Sequence, residues 1–238
     1  VYKEYRCKTP SNGPKTFFKE LACVLVEMTR DIDSPFLGVS IVLPCSVNTY
    51  EGLIYQDEVL GWENVPVKRI FEQQVNGQVE VENNARAGAL AEMYFNKKSN
   101  ELSNFVFVSY RHGIGTGIVI DRQVYYGANC MVGEFGANII RANGKWESIS
   151  NTDSWEFCAS DVGTVKRYSK LMGYIPDEDI DRQLEKIISL AKQGDKDSSK
   201  VLEETARNLG LGIANINWGL GPEKIIIGGR IVDAWDII

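Results

Sequence analysis

The stretch "QVEVENNARAGALAE", residues 78–92, constrains the fold of this chain more than any other. Val79 and Val81 alternate with polar residues, the period-two pattern of a strand, and a helix of small residues follows from Ala85. Asn83 and Asn84 stand at the changeover, where asparagine serves well as turn and cap. Upstream, "FLGVSIVLP" (36–44) is a β-branched apolar run bounded by prolines, which reads as a buried strand. Residues 14–30 place Phe17, Phe18, Leu21, Val24, Leu25 and Met28 on one helical face, with Pro14 suited to the first turn. "NTYEGLIYQ" gives a turn and a short strand, and "VPVKRIFEQQVNG" a further helix. Strands alternating with helices in this way predict a mixed α/β sheet.

The second half repeats that logic. "NFVFVSY" (104–110) reads as a strand, followed by the glycine-punctuated "GIGTGIVID" (113–121) and "RQVYYGAN", antiparallel strands joined by a tight Asp-Arg turn. Helices are expected around 156–172, 178–193 and 197–218, and "EKIIIGG" (223–229) as another buried strand. The polar stretch from Lys97 to Leu102 separates a domain over 1–100 from one over 101–238. Val1 to Cys7 is strand-like and "RIVDAWDII" reads as the start of an amphipathic element. The first domain therefore reads as lacking its first strands, and the second as cut at its end.

The net charge is −6, so the 238 residues carry no broad basic field for a nucleic-acid backbone. No apolar run approaches the roughly 20 residues of a membrane span, and no signal-peptide pattern opens the chain. The five cysteines are odd in number and lack CxxC spacing, which favours free thiols in a reducing cytoplasm.

Four segments, in order, resemble the ROK family (repressors, open reading frames, kinases). "GVSIVLPCSVNTYEGLIY" is similar to the family's strand and P-G-P-V turn, with Cys45 in place of Gly. "VENNARAGALAE" resembles E-N-D-A-N-A-A-A-L-G-E. "GIGTGIVIDRQVYYGANCMVGEFG" is similar to G-I-G-A-G-I-V-I-x-G-x-L-x-x-G-x-x-G-x-A-G-E-I-G-H and is the most specific match. "LGLGIANINWGLGPEKIIIGGRI" resembles the helix, loop and strand before the nucleotide-side glycines. The resemblance implies an α/β, two-domain actin/hexokinase-like (ribonuclease H-like) fold with a ligand cleft between the domains. It also implies a homodimer.

Departures from the family pattern share a direction. The Asp that serves as base in the family's sugar kinases is Asn84 here, and an amide has no comparably basic lone pair. The kinases' phosphate loop G-T-G-I-G reads Arg111-His112-Gly113-Ile114-Gly115, so His112, Gly113 and Gly115 belong to a degenerate loop. The family's D-x-G-G-T loop has no counterpart in this sequence. Gly136 is followed by Ala137 instead of His, and the family's zinc cysteines fall on Glu147, Ile149 and Ser154, so no structural zinc is expected. On the sugar side Asn83, Asn84, Glu134 and Glu156 occupy the positions of the hydroxyl contacts. Each also has a plainer role available: Asn83-Asn84 as turn and cap, Glu156 as a first-turn acid favoured by the helix dipole. His112 is the lone histidine, and most lone histidines are structural or solvent-facing, so it is not assigned an acid–base role. Arg86 replaces the family's Asn and either reaches a partner or points to solvent.

The resemblance thus implies the effector domain of a sugar-sensing transcriptional regulator that binds a sugar or sugar phosphate without phosphorylating it. No catalytic residue and no cofactor are expected. DNA would be met through an upstream helix-turn-helix outside this sequence. The alternative is a ROK-type sugar kinase, which would use ATP and Mg²⁺. Either is expected in the cytoplasm, off the membrane.

Overall fold

The computed structural model describes residues 3–9, 13–32, 35–57, 60–99, 101–141, 153–176 and 179–237. The chain divides into two compact units, 1–87 with 126–132, and 88–125 with 133–238.

The first unit holds helix α1 (Pro14–Thr29), strands β1 (Gly38–Leu43), β2 (Ser46–Asn48), β3 (Leu53–Asp57) and β4 (Trp62–Val65), helix α2 (Val67–Glu72) and strand β5 (Gln78–Asn83). β1 and β5 pair in parallel, and β2-β3-β4 form an antiparallel sheet. Phe18 and Ala22 of α1 are fully buried and pack with Val47, Ile54, Trp62, Val65, Ile70, Phe71, Val79 and Val81. Phe18 lies edge-on to both Trp62 and Phe71. Pro14 begins α1, where its missing N–H costs nothing.

Two expectations fail in this unit. Residues 3–9 form no strand. β1 is not a buried strand: alternate residues are exposed, Val42 among them, because among the described residues it pairs with β5 alone.

Helix α3 (Asn84–Phe95) passes from one unit to the other. The second unit continues with β6 (Phe105–Tyr110), β7 (Ile114–Ile120), β8 (Gln123–Val124), α4 (Trp155–Ala159), α5 (Asp161–Met172), α6 (Ile180–Lys192), α7 (Lys196–Leu220) and β9 (Lys224–Gly228). Its sheet runs β8-β7-β6-β9, with β6 antiparallel to β7 and parallel to β9. The Asp-Arg turn joins β7 to β8 with φ of 50° and 61° at Asp121 and Arg122, the left-handed pair that suits strand twist in a tight hairpin.

The division falls inside α3, at 87/88, away from the polar stretch 97–102. Ala89 and Met93 pack with Phe105 and Val119, so most of the helix belongs to the second core. The small residues of α3 have a direct reason: a Cβ at Gly88 would run into the Phe107 ring. The expected helix over 156–172 is two helices, broken at Ser160, whose side chain caps α5 through Gly163 N–H. β9 is only partly buried, and residues 230–234 form a 3₁₀ turn. No helix among the described residues is long and apolar enough to cross a membrane.

Candidate functional site

In the first unit the changeover from β5 to α3 is organised by side chains. Asn83 caps α3: Oδ1 accepts from Ala85 N–H (2.8 Å) and Arg86 N–H (3.3 Å), while Nδ2 donates to the Cys45 carbonyl (3.0 Å). The amide is therefore used at both ends, which ties the residue before β2, Cys45, to the helix start. Asn84, the first residue of α3, makes no side-chain hydrogen bond among the described residues.

Beneath these asparagines lies a charged pair that sequence reasoning left open. Arg86 is 3% exposed and donates from Nε to Glu82 Oε1 at 2.7 Å. Nη1 donates to the Cys130 carbonyl (2.8 Å), and Nη2 to the Val47 carbonyl (2.9 Å) and Thr49 Oγ1 (3.3 Å). Glu82 Oε1 also accepts from Thr49 Oγ1 (2.9 Å) and Asn83 N–H (2.7 Å), and Oε2 from the Tyr126 hydroxyl (3.1 Å). Burial, then the Glu82 charge, pushes the Tyr126 phenol far above its ordinary pKa, so it stays a donor. The spacing Glu82–Arg86 was the available signal, obscured because it spans a strand–helix junction instead of one helical face.

In the second unit Glu156 follows Ser154, which caps α4 by accepting from Phe157 N–H. Glu156 Oε2 accepts from Ile114 N–H at 2.8 Å, holding the end of the 111–113 turn. Oε1 accepts no hydrogen bond from a described residue. A Cβ at Gly113 or Gly136 would crowd this carboxylate, so both glycines let the backbone lie close to it. Glu134 is exposed and precedes the 135–137 turn. Gly133, at φ 92°, passes so near Thr116 that its carbonyl accepts from Thr116 Oγ1 at 2.5 Å.

The degenerate loop is engaged by charges of its own unit. His112 Nε2 lies 3.2 Å from Asp181 Oδ1, and Arg230 pairs with Asp181 and Glu185. Gly115 is a strand residue opposite Ser109. An open recess of about 450 Å³ beside the loop is lined by Ser109, Arg111, Gly228, Gly229, Arg230 and Asp233. Asp161 is buried, its Oδ1 has no hydrogen-bond partner among the described residues, and its N–H donates to the Arg111 carbonyl (3.0 Å). Burial pushes its pKa up to about 6, against the lowering pull of His112, Arg111 and Arg230. Asp161, Asp181 and Arg230 stood out in no sequence motif, since only the fold brings them to the loop.

The zinc set does not fit. Ala137 offers no donor atom and the Ser154 hydroxyl is a helix cap, whereas structural zinc takes about four N or S ligands. Glu147 and Ile149 lie outside the described residues.

The three sheets among the described residues, with their helices, are those of an α/β protein of the actin/hexokinase-like class. The ROK family model matches residues 1–238, and the chain belongs to that family. It is 31% identical over 201 residues to a xylose repressor of Caldicellulosiruptor bescii, covering 82% of this chain and 50% of the relative. It is 26% identical over 242 residues to the xylose repressor of Bacillus subtilis, covering 100% of this chain and 60% of the relative. A glucokinase of Halalkalibacterium halodurans is 28% identical over 214 residues, with 86% and 64% covered. Among solved structures, a ROK family transcriptional regulator described as a homolog of the E. coli MLC protein superposes with a TM-score of 0.79 at 29% identity, covering 92% of this chain and 57% of that one. A glucokinase from Streptomyces griseus in complex with glucose and AMPPNP superposes with a TM-score of 0.78 at 22% identity, covering 95% and 75%. The chain spans about half the length of the repressors it matches.

Proposed function

We propose that the chain is the effector portion of a sugar-responsive ROK regulator, which binds a sugar or sugar phosphate and does not phosphorylate it. The observation that carries this reading is Asn84 in place of a basic carboxylate, and the altered Arg111-His112 loop points the same way. The similarity to the xylose repressors and to the MLC-like regulator supports it. Asn83, Asn84, Glu134 and Glu156 are the proposed hydroxyl contacts, with the second oxygen of Glu156 offered to the ligand as a strong acceptor. DNA contact, in this reading, is made by a helix-turn-helix outside these 238 residues, and the regulator acts as a homodimer in the cytoplasm. No zinc or nucleotide is required.

Titration calorimetry with D-xylose, D-glucose, N-acetyl-D-glucosamine and the 6-phosphates of the latter two tests the reading. Binding of at least one is expected, lost in Glu156→Ala and weakened in Asn83→Ala. A chain that binds none, or a Glu156→Ala variant that binds as well as the parent, rejects it. The second reading, a sugar kinase using ATP and Mg²⁺, is favoured by the likeness to the glucokinases and predicts turnover in an ATP-coupled assay.

A further inference from the structure

We infer that Arg86 is a positioning residue, which through Glu82 fixes the Asn83-Asn84 pair and the two segments beside it for sugar recognition. The inference rests on the sugar-binding reading above. One guanidinium ties together three stretches of chain: β2 and the residue after it through Val47 and Thr49, the β5–α3 junction through Glu82, and the 126–130 segment through the Cys130 carbonyl. Glu82 completes the lattice by receiving Asn83 N–H, Thr49 and Tyr126, and the Arg86 guanidinium lies 5.5 Å from the centre of the Tyr126 ring.

Two features separate this lattice from ordinary packing. A buried ion pair is a weak route to stability, since apolar residues of like volume often do as well. What apolar residues cannot do is aim carbonyls and a backbone N–H. Cys130, moreover, is a buried non-glycine residue at φ 58°, a conformation that costs energy and persists only where the surroundings enforce it. The bond from Arg86 to its carbonyl supplies that enforcement. Asn83 sits at the centre: its N–H is set by Glu82 and its side chain by the Cys45 carbonyl, so the backbone that carries Asn84 starts from a position fixed by the same lattice.

The test compares Arg86→Met, Glu82→Gln, the double variant Glu82→Gln/Arg86→Met, and Arg86→Lys, reading thermal unfolding and calorimetric Kd for whichever of the five sugars and sugar phosphates the parent chain binds. Each single exchange strands a polar or charged group and is expected to lower the melting temperature. The double variant removes both charges and is expected to regain most of that loss, while its Kd stays weaker by about tenfold or more. Arg86→Lys keeps the charge without the planar fork and is expected to fall between parent and double variant in Kd. A double variant that binds with the parent's Kd overturns the positioning role and leaves the sugar reading intact. A parent chain that binds none of the five overturns the sugar reading and the role of Arg86 with it.

Discussion

Asp161 shows how one residue can carry a pH signature. Its carboxyl is raised from 3.8 to about 6, first by burial. A folded-state pKa above the unfolded one means that the fold holds the proton more tightly. The contribution is fully present below about pH 4 and is lost as pH rises through about 6, so the ionised group is a burden at neutrality. The shift corresponds to roughly 3 kcal/mol as an order of magnitude. An amide of the same shape carries no such charge. Asp161→Asn is therefore expected to raise the urea midpoint at pH 7.5 and to leave it nearly unchanged at pH 4. An equal effect at both pH values would show that the carboxyl is solvated. Residues of this kind were illegible in the sequence, because burial and the company of His112, Asp181 and Arg230 arise only from the fold. Asn84 and the Arg111-His112 pair can be singled out from the sequence alone, since a difference from the family's pattern is a matter of residue type.

At the scale of elements, α4 and α7 meet through a bare backbone. Gly212, buried in the middle of α7, lies against the ring of Trp155, which is fully buried, and a Cβ there would overlap the indole. Gly212→Ala gains helix propensity but overpacks the contact, at a cost of about 1–3 kcal/mol. The expected outcome is a melting temperature lowered by several degrees together with altered Trp155 fluorescence. A more stable variant would mean that the ring has room to move.

A second contact at this scale bears on metal. Residues 138–140 and 153–155 are joined by Ile140 N–H to the Asp153 carbonyl (3.0 Å) and Trp155 N–H to the Asn138 carbonyl (2.8 Å). Arg141 then pairs with Glu204 at 2.7 Å and Asn208 Oδ1 at 3.1 Å on α7, and Arg167 donates to the Cys158 carbonyl. These contacts among the described residues are hydrogen bonds and ion pairs of the chain itself. Metal analysis is expected to find no stoichiometric zinc, and a chelator to leave thermal unfolding unchanged. About one tightly held zinc per chain would show that ligands come from elsewhere. The helices themselves were legible from periodicity. The break at Ser160 departs from the expected single helix because the Ser160 hydroxyl caps α5, a cap signal set inside a continuous apolar pattern.

For the whole molecule, the order of strands and helices was readable from alternating patterns, but the partition was not. Residues 126–132 belong with the first unit and α3 largely with the second, outcomes decided by which core Ala89, Met93 and Cys130 join. The proposed lack of phosphoryl transfer likewise rests on several positions acting together. Restoring the carboxylate by Asn84→Asp returns a base of the right type, a group typically worth 10²–10⁴-fold in rate. In the regulator reading it does not return the phosphate loop, where Arg111 and His112 stand in place of Gly and Thr and His112 lies against Asp181. Positioning of the reacting groups is a separate and larger requirement. The parent chain and Asn84→Asp are therefore both expected to show no ATP-dependent phosphorylation of glucose, xylose or N-acetylglucosamine above background in a coupled assay. Turnover by the parent chain would reject the regulator reading. Turnover by Asn84→Asp alone would show that the base was the single missing part and that the loop, despite its ion pairs, still admits the phosphates.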